Sequence, residues 1–127
     1  MCDNIIIISL ILVSIFLALS VNTIINRRKY GLALGEGENE NLKRAVRAHG
    51  NFIEYTPIFL ITLLILDQKN GSCEYILYAG VAFIIGRIIH ALSLFIKKGL
   101  FRVIGMNLTF LPLLCNLIYL SIVLIKN

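Results

Sequence analysis

The segment from Asn4 to Asn26 contains no charged residue, and this feature restricts the possible folds more than any other. As a helix, it is long enough to cross a hydrocarbon core of about 30 Å. Asp3 precedes it and no Lys or Arg does, which is not typical of a cleaved signal peptide. The segment 103–125 is also uncharged, with Pro112 in its middle, a residue that bundled membrane helices tolerate. These two segments predict the first and the last membrane spans.

The composition excludes a water-soluble domain. Of the 127 residues, 58% are hydrophobic and 15% are charged, and the mean hydropathy is +0.87. Two further uncharged runs, 55–66 and 75–86, are each too short to cross a membrane without a polar extension. Asn39 or Asn41 can serve as N-cap of the extended second helix. The sequence therefore predicts one all-α domain over residues 1–127, a bundle of four transmembrane helices at about 4–26, 39–67, 73–97 and 101–125.

Lys and Arg are distributed unevenly between the two ends of this predicted bundle. The first and third loops and the helix ends beside them carry nine: Arg27, Arg28, Lys29, Lys43, Arg44, Arg47, Lys97, Lys98 and Arg102. The termini and the second loop carry Lys69 and Lys126. By the positive-inside rule, we expect loops 1 and 3 to face the cytoplasm and both termini to face away from it. Topology thus accounts for most of the net charge of +5, and nucleic acid is not an expected partner.

Several of these basic residues have a simple interpretation. Lys97 and Lys98, like Arg28 and Lys29, are expected to anchor helix ends at the lipid headgroups. Membrane lipid is therefore an expected partner of the chain. The polar residues deeper in the predicted spans need a different explanation.

Topology does not explain the polar side chains inside the second and third predicted spans. One stripe of the second helix carries, at spacings of 3, 4 and 3, Arg44, Arg47, Asn51 and Glu54. Glu54 lies deep enough to need a cationic partner, and Arg87 and His90 lie at the same depth on the third helix. One interpretation is a Glu54–Arg87 ion pair that fixes helix register. The other is a ligand site, because several arginines with one Glu and one Asn suit a ligand that has more carboxylates than amines.

The cysteines and histidines do not indicate a metal site. Three cysteines without a CxxC motif indicate neither a disulfide framework nor zinc binding. Cys2 and Cys73 fall on the same side of the membrane, so a disulfide between them is conceivable, although no pattern supports it. His49 and His90 lie on different helices and lack the carboxylates of a metal site.

A longer stretch of the chain resembles a known family. The run RAVRAHGNFIEYTPIFL (44–60), preceded by RRKYGLALGEGENENLK (27–43), is similar to the signature of the MAPEG family, the membrane-associated proteins in eicosanoid and glutathione metabolism. It resembles the bacterial members most closely. GRIIH (86–90) and RVIGMNLT (102–109) extend the similarity through all four spans. The resemblance implies a four-helix protomer, a homotrimer, and glutathione bound between protomers near the cytosolic face.

The resemblance also implies roles for particular residues. Its glutathione site would comprise Arg27, Arg47, His49, Asn51, Glu54, Tyr55, Arg87 and His90. Arg102 matches the arginine that contacts the glutathione sulfur, and a fixed guanidinium beside a thiol raises the fraction of thiolate at neutral pH. Leu94 stands where some glutathione-activating members have tyrosine, which is a departure from their pattern.

These observations lead to one main functional hypothesis and two alternatives. The main hypothesis is a glutathione transferase-like enzyme of the bacterial inner membrane, with glutathione as co-substrate and a lipophilic electrophile or peroxide as second substrate. The first alternative is a non-enzymatic membrane protein of the same fold that binds lipid or glutathione. The second is a small four-helix exporter, for which only Glu54 and Arg87 could provide the charge inside the membrane that coupling requires.

Overall fold

The computed structural model describes residues 2–126 as four helices: α1 (Asp3–Tyr30), α2 (Glu40–Gln68), α3 (Cys73–Ile96) and α4 (Gly99–Lys126). Each helix is long and apolar enough to span a membrane, and the described residues contain no strand. The predicted all-α, four-helix fold is confirmed. We call the end with the α1–α2 and α3–α4 loops the basic end, and the end with both termini and the α2–α3 turn the opposite end.

Local capping explains where α1 ends and where α2 begins. α1 runs to Tyr30, beyond the uncharged stretch, and ends where Gly31 adopts a left-handed φ of 65°. Glycine takes this conformation without a steric penalty, and the basic residues of the last turn are favourable beside the helix C-terminus. At the start of α2, the side chain of Asn39 accepts hydrogen bonds from the backbone N–H groups of Asn41 and Leu42. Asn39, one of the two predicted N-caps, is therefore the cap.

The backbones of α3 and α4 lie close together at two glycines, one on each helix. A Cβ atom on Gly86 would lie 2.9 Å from the backbone of Leu108. A Cβ atom on Gly105 would lie 2.6 Å from the backbone nitrogen of His90. Small residues allow such close backbone contact between membrane helices. α1, in contrast, packs against α2 and α3 and has no contact with α4 among the described residues.

Apolar side chains cover the outside of the bundle as well as its core. Leu10, Leu17 and Ile25 on α1 are more than half exposed, as are Leu111 and Leu117 on α4. Water would make such a surface costly, whereas lipid tails are as apolar as the side chains themselves. The surface is therefore that of an integral, multi-pass membrane protein.

A polar network joins three helices in the half of the bundle nearer the opposite end. The hydroxyl of Tyr75 on α3 donates to Asn116 Oδ1 on α4 at 2.7 Å. Asn116 Nδ2 in turn donates to Thr62 Oγ1 on α2 at 2.9 Å, and Asn116 is completely buried. Buried polar groups at membrane depth need such partners because no water is present to replace them. The network therefore fixes how α2, α3 and α4 meet in this half.

At the opposite end, Cys2 and Cys73 form a disulfide that joins the N-terminal ends of α1 and α3. Their Cα atoms lie 5.7 Å apart, within the usual range for disulfides. The cysteine spacing indicated no disulfide framework and left a pairing of Cys2 with Cys73 open, which the structure decides in favour of the bond. The pairing depends on two helix ends being neighbours in space, which the spacing of cysteines along the chain does not reveal.

We predict opposite effects for two glycine-to-alanine substitutions. Gly105→Ala places a methyl group against the His90 backbone and should destabilise the fold by about 1–3 kcal/mol, the usual cost of overpacking. Gly50→Ala meets nothing within 4 Å and should be neutral or stabilising by up to about 1 kcal/mol, because alanine favours a helix. Thermal unfolding in detergent measures both effects. Equal stabilities of the two variants would contradict the close α3–α4 contact.

Candidate functional site

A cationic cavity opens at the basic end, between the start of α2, the end of α3 and the start of α4. Its volume is about 560 Å³. The cationic residues that line it are Lys43, Arg44, Arg47, Lys97, Lys98 and Arg102, whereas Glu40 is the acidic residue in the wall. This excess of positive charge favours an anionic ligand.

Contacts within the chain neutralise only part of this positive charge. Arg44 Nη1 donates to the backbone carbonyl of Leu94 at 3.1 Å and so links α2 to α3. Glu40 lies 3.2 Å from Lys43 Nζ and 3.8 Å from Arg44 Nη2. Within residues 2–126, neither Arg47 nor Arg102 has a carboxylate within 4.0 Å. Among the arginines of the cavity wall, these two therefore have guanidinium groups that can pair with an incoming anion.

Arg87 lies about two turns deeper along α3 than the cavity, enclosed by three helices. Only 1% of its surface is exposed. Nη1 donates to Thr109 Oγ1 on α4 at 3.3 Å, and Nη2 lies 3.1 Å from His90 Nδ1. The guanidinium carbon also lies 5.4 Å from the centre of the Tyr55 ring on α2, which is a cation–π contact. Arg87 thus connects α2, α3 and α4.

The hydrogen bond to Arg87 defines the protonation of His90. A guanidinium group only donates, so Nδ1 of His90 accepts and the ring is neutral with its proton on Nε2. Only 1% of the surface of His90 is exposed. The structure therefore places Arg87 and His90 behind the cavity, not on its wall. Arg87 contacts the ring of Tyr55, which also packs edge-on against Phe110 with the ring centres 5.5 Å apart and is not itself part of the cavity wall.

Asn51 and Glu54 lie on the side of α2 that faces away from the core residues Phe52 and Phe59. Asn51 Nδ2 donates to the backbone carbonyl of Arg47 at 2.8 Å. Glu54 is exposed, and no cationic nitrogen of the described chain lies within 4.0 Å of its carboxylate.

The ion pair between Glu54 and Arg87, one interpretation of the sequence, is therefore not formed within one chain. Arg87 turns into the space between three helices, whereas Glu54 faces outward. Equal depth along two helices does not bring two side chains together when they point in different directions. The carboxylate of Glu54 is left for a ligand or a second chain.

Arg27 and His49 lie apart from the cavity. Arg27 Nη1 donates to the carbonyl of Gly35 at 2.7 Å, so its side chain folds over the first loop. His49 Nε2 lies 2.8 Å from Ser20 Oγ on α1, and its ring stacks on Phe16 with the ring centres 5.4 Å apart. A single chain therefore brings Arg47 to Arg102, and Arg87 to His90 and Tyr55, but does not gather all the predicted site residues.

Sequence reasoning assigned Lys97 and Lys98 to headgroup anchoring, and it did not single out Thr109. The structure places both lysines in the cavity wall and Thr109 on Arg87. The sequence signal for a place in the cavity wall was that the two lysines lie close to Arg102 where α3 connects to α4. Within residues 2–126, no three His, Cys, Asp or Glu side chains are close enough to hold a metal ion.

The chain is similar to a known family of membrane proteins over most of its length. A model of the MAPEG family matches residues 5–122. The inner membrane protein YecN of Escherichia coli K12 is 30% identical over 88 residues, which cover 69% of this chain and 67% of YecN, and YecN of Escherichia coli O6:H1 matches to the same extent. No solved structure matches the chain significantly. The chain belongs to the MAPEG family, and the resemblance of its signature run is confirmed.

Proposed function

We propose that this protein is a glutathione transferase-like enzyme that binds glutathione at the basic end and activates it as a thiolate. The observation that carries the proposal is the cavity of about 560 Å³ with six cationic side chains and one carboxylate in its wall. Arg47 and Arg102 have no carboxylate partner among the described residues, so an incoming anion can pair with their guanidinium groups without breaking an existing ion pair.

The chemistry of glutathione matches the predicted site residues when a neighbouring protomer completes the site. Glutathione has two carboxylates, one ammonium group and a thiol. Arg47, together with Arg27 of a neighbouring protomer, would bind carboxylates through paired N–H donors. Glu54 would accept from the ammonium group, and Asn51 would bind the peptide backbone. His49 and Tyr55 would be flanking contacts, and the buried Arg87 and His90 would support Tyr55 from behind.

Arg102 is the proposed catalytic residue. The thiolate is the nucleophile, and a thiol with a pKa of about 8.5 is mostly protonated at neutral pH. A guanidinium beside the sulfur stabilises the thiolate, and each tenfold gain in thiolate requires about 1.4 kcal/mol. In a conjugation, the sulfur forms a bond to an electrophilic carbon. That carbon either loses a leaving group with its electron pair, or its π or C–O bond breaks and the atom that receives the electron pair takes up a proton. In peroxide reduction, two glutathione thiols become one disulfide while the peroxide becomes an alcohol and water.

A lipophilic second substrate would arrive from the bilayer. The outer face of α4 bears a mainly apolar concavity of about 690 Å³ that is open to the surroundings and is lined by five leucines, Phe110 and Asn107. Such a surface retains an apolar molecule through dispersion and shape rather than through hydrogen bonds. The class of second substrate that we propose is therefore an apolar electrophile or a lipid peroxide.

The orientation that we propose puts the basic end in the cytoplasm, where glutathione is available. Nine of the 12 Lys and Arg residues belong to the loops and helix ends of that end. A curated relative, YecN, is named as an inner membrane protein of Escherichia coli. We infer that this chain resides in the same type of membrane, with both termini on the non-cytoplasmic side.

The proposed assembly is a homotrimer with glutathione between protomers. An exposed carboxylate at membrane depth is costly unless another group covers it, and Glu54 has no cationic partner among residues 2–126 of its own chain. Asn51 is only partly buried on the same outward side of α2. A neighbouring protomer against this side would cover both residues and complete the site.

Native mass spectrometry in detergent tests this assembly. We expect a main species at three times the 14.3-kDa mass of one chain, and bound glutathione should add to that species. A protein that remains monomeric and still binds glutathione with full affinity would contradict a site shared between protomers.

Substitution of Arg102 tests the enzyme hypothesis directly. Purified wild-type protein with glutathione should show the ultraviolet difference absorbance of a thiolate, and Arg102→Leu should lose it. Lys98→Leu removes a charge from the same cavity wall and should retain most of the signal, because Lys98 is not assigned to the sulfur. An equal loss in both variants would contradict a specific role for Arg102. Absence of a thiolate in the wild type would leave non-enzymatic binding as the function.

Substitution of Glu54 tests the ammonium contact. Glu54→Gln should weaken glutathione binding about tenfold or more in equilibrium dialysis, the usual loss for a hydrogen bond to a charged group. Glu74→Gln is the matched control, because Glu74 is an exposed carboxylate at the opposite end and should not affect affinity. Unchanged affinity of Glu54→Gln would remove Glu54 from the proposed site.

A further inference from the structure

We propose that the Cys2–Cys73 disulfide forms in the cell, in the compartment outside the cytoplasm, and that it holds α1 onto the rest of the bundle. The inference rests on the orientation proposed above and does not depend on glutathione binding. It assigns a covalent modification to two residues that have no part in the proposed chemistry.

Hydrogen bonds that do not involve the sulfur atoms bring the two cysteines together. The backbone N–H of Cys2 donates to Asp67 Oδ1 near the end of α2 at 2.8 Å. Asn4 Nδ2 donates to the backbone carbonyl of Cys73 at 3.2 Å. The Cα atoms of the two cysteines lie 5.7 Å apart, a separation that a disulfide can bridge without movement of the backbone. These contacts prepare the pair for bond formation.

α1 is the helix that gains most from such a bond. It has no contact with α4 among the described residues, and its core contacts are made by apolar side chains such as Ile5, Ile8 and Leu12. In a bilayer this packing has little hydrophobic driving force, because lipid tails can replace it. Further along α1, three polar contacts join it to α2 among the described residues. They are the Ser20–His49 contact, the 3.3-Å bond from Thr23 Oγ1 to a backbone carbonyl, and the 3.3-Å bond from Asn41 Nδ2 to the hydroxyl of Tyr30.

With the disulfide formed, α1 would be covalently attached to the rest of the bundle at both of its ends. Loop 1 joins α1 to α2 at the basic end, and the disulfide joins α1 to α3 at the opposite end. A helix attached at one end alone can separate from the bundle at its other end. The second attachment prevents this separation without adding a polar group inside the membrane.

The proposed orientation places the disulfide where oxidation is favoured. The cytoplasm keeps thiols reduced, whereas the bacterial periplasm allows disulfides to form and persist. The two thiols lose two protons and two electrons, and the disulfide of a dithiol oxidase in that compartment accepts them by thiol–disulfide exchange. The remaining cysteine, Cys115, lies within α4 and is free.

Counting free thiols in cells tests the bond. Cells that express the chain are quenched in acid, denatured and treated with a maleimide polymer that shifts the protein on a gel. The wild type should gain one adduct, on Cys115, and should gain three after reduction. Cys2→Ser should gain two adducts with or without reduction. Three adducts on the wild type without reduction would overturn the proposal.

Labelling of intact spheroplasts tests the compartment. A chain with Cys2→Ser and Cys115→Ser retains Cys73 alone, which a membrane-impermeant maleimide should label without lysis. In the control, all three cysteines are serine and Lys98→Cys places a thiol in the α3–α4 loop, which should be labelled only after lysis. The reverse pattern would overturn the orientation and this inference. A failure of the glutathione tests with the expected labelling would leave this inference intact.

Thermal unfolding in detergent tests the role of the bond in holding α1. A reductant should lower the midpoint of wild-type unfolding by several degrees, because α1 loses its second attachment. Cys2→Ser should have the lower midpoint from the start and should not respond to reductant. A wild-type midpoint that does not change on reduction would overturn the structural role of the disulfide.

Discussion

The half of the bundle near the basic end depends on the burial of one cation. A guanidinium removed from water at membrane depth loses its solvation, and the loss is tolerable only when nearby groups replace water. Thr109, His90 and the face of Tyr55, each from a different helix, do this for the terminal part of the Arg87 guanidinium, whereas its Nε has no hydrogen-bond partner among the described residues. These contacts require α3 and α4 to lie close together, which the missing side chains of Gly86 and Gly105 permit.

The partners of Arg87 are neutral, so its burial uses none of the carboxylates of the described residues. Within residues 2–126 no carboxylate pairs with Arg87, and Glu54 is exposed on α2. The cations at the basic end likewise have Glu40 as their partner and little else. The cations of the cavity and the carboxylate of Glu54, about two turns further along α2 than Arg47, together provide both signs of charge that a zwitterionic ligand with an excess of carboxylates requires.

The fold was largely predictable because membrane spans follow directly from the distribution of charge. The uncharged stretch 4–26 predicted α1, and the cap at Asn39 was one of the two candidates in the sequence. The extension of α1 to Tyr30 was not predicted, because hydropathy does not include the stabilisation of the helix end by Gly31 and by the basic residues of the last turn. The close contact of α3 and α4 at Gly86 and Gly105 was not predicted either, because it depends on which part of the other helix faces each glycine.

The candidate site was predictable in its residue types and less so in its geometry. Helical periodicity correctly put Arg47, Asn51 and Glu54 near one another on α2, because their spacing follows the helix repeat. It did not show that Arg87 turns into the bundle, or that Lys97 and Lys98 belong to the cavity wall. Rotation of one helix relative to another decides which side chains meet, and a single helix does not contain that information.

The sequence by itself determined the number of spans, their order, the uneven distribution of positive charge and membership of the MAPEG family. Each of these depends on residues that are close along the chain or on a pattern of adjacent residues. Only the tertiary structure decided that Cys2 pairs with Cys73, that Arg87 is buried, and that Glu54 faces outward. These outcomes depend on contacts between helices that are far apart in sequence, where packing sets the direction of each side chain.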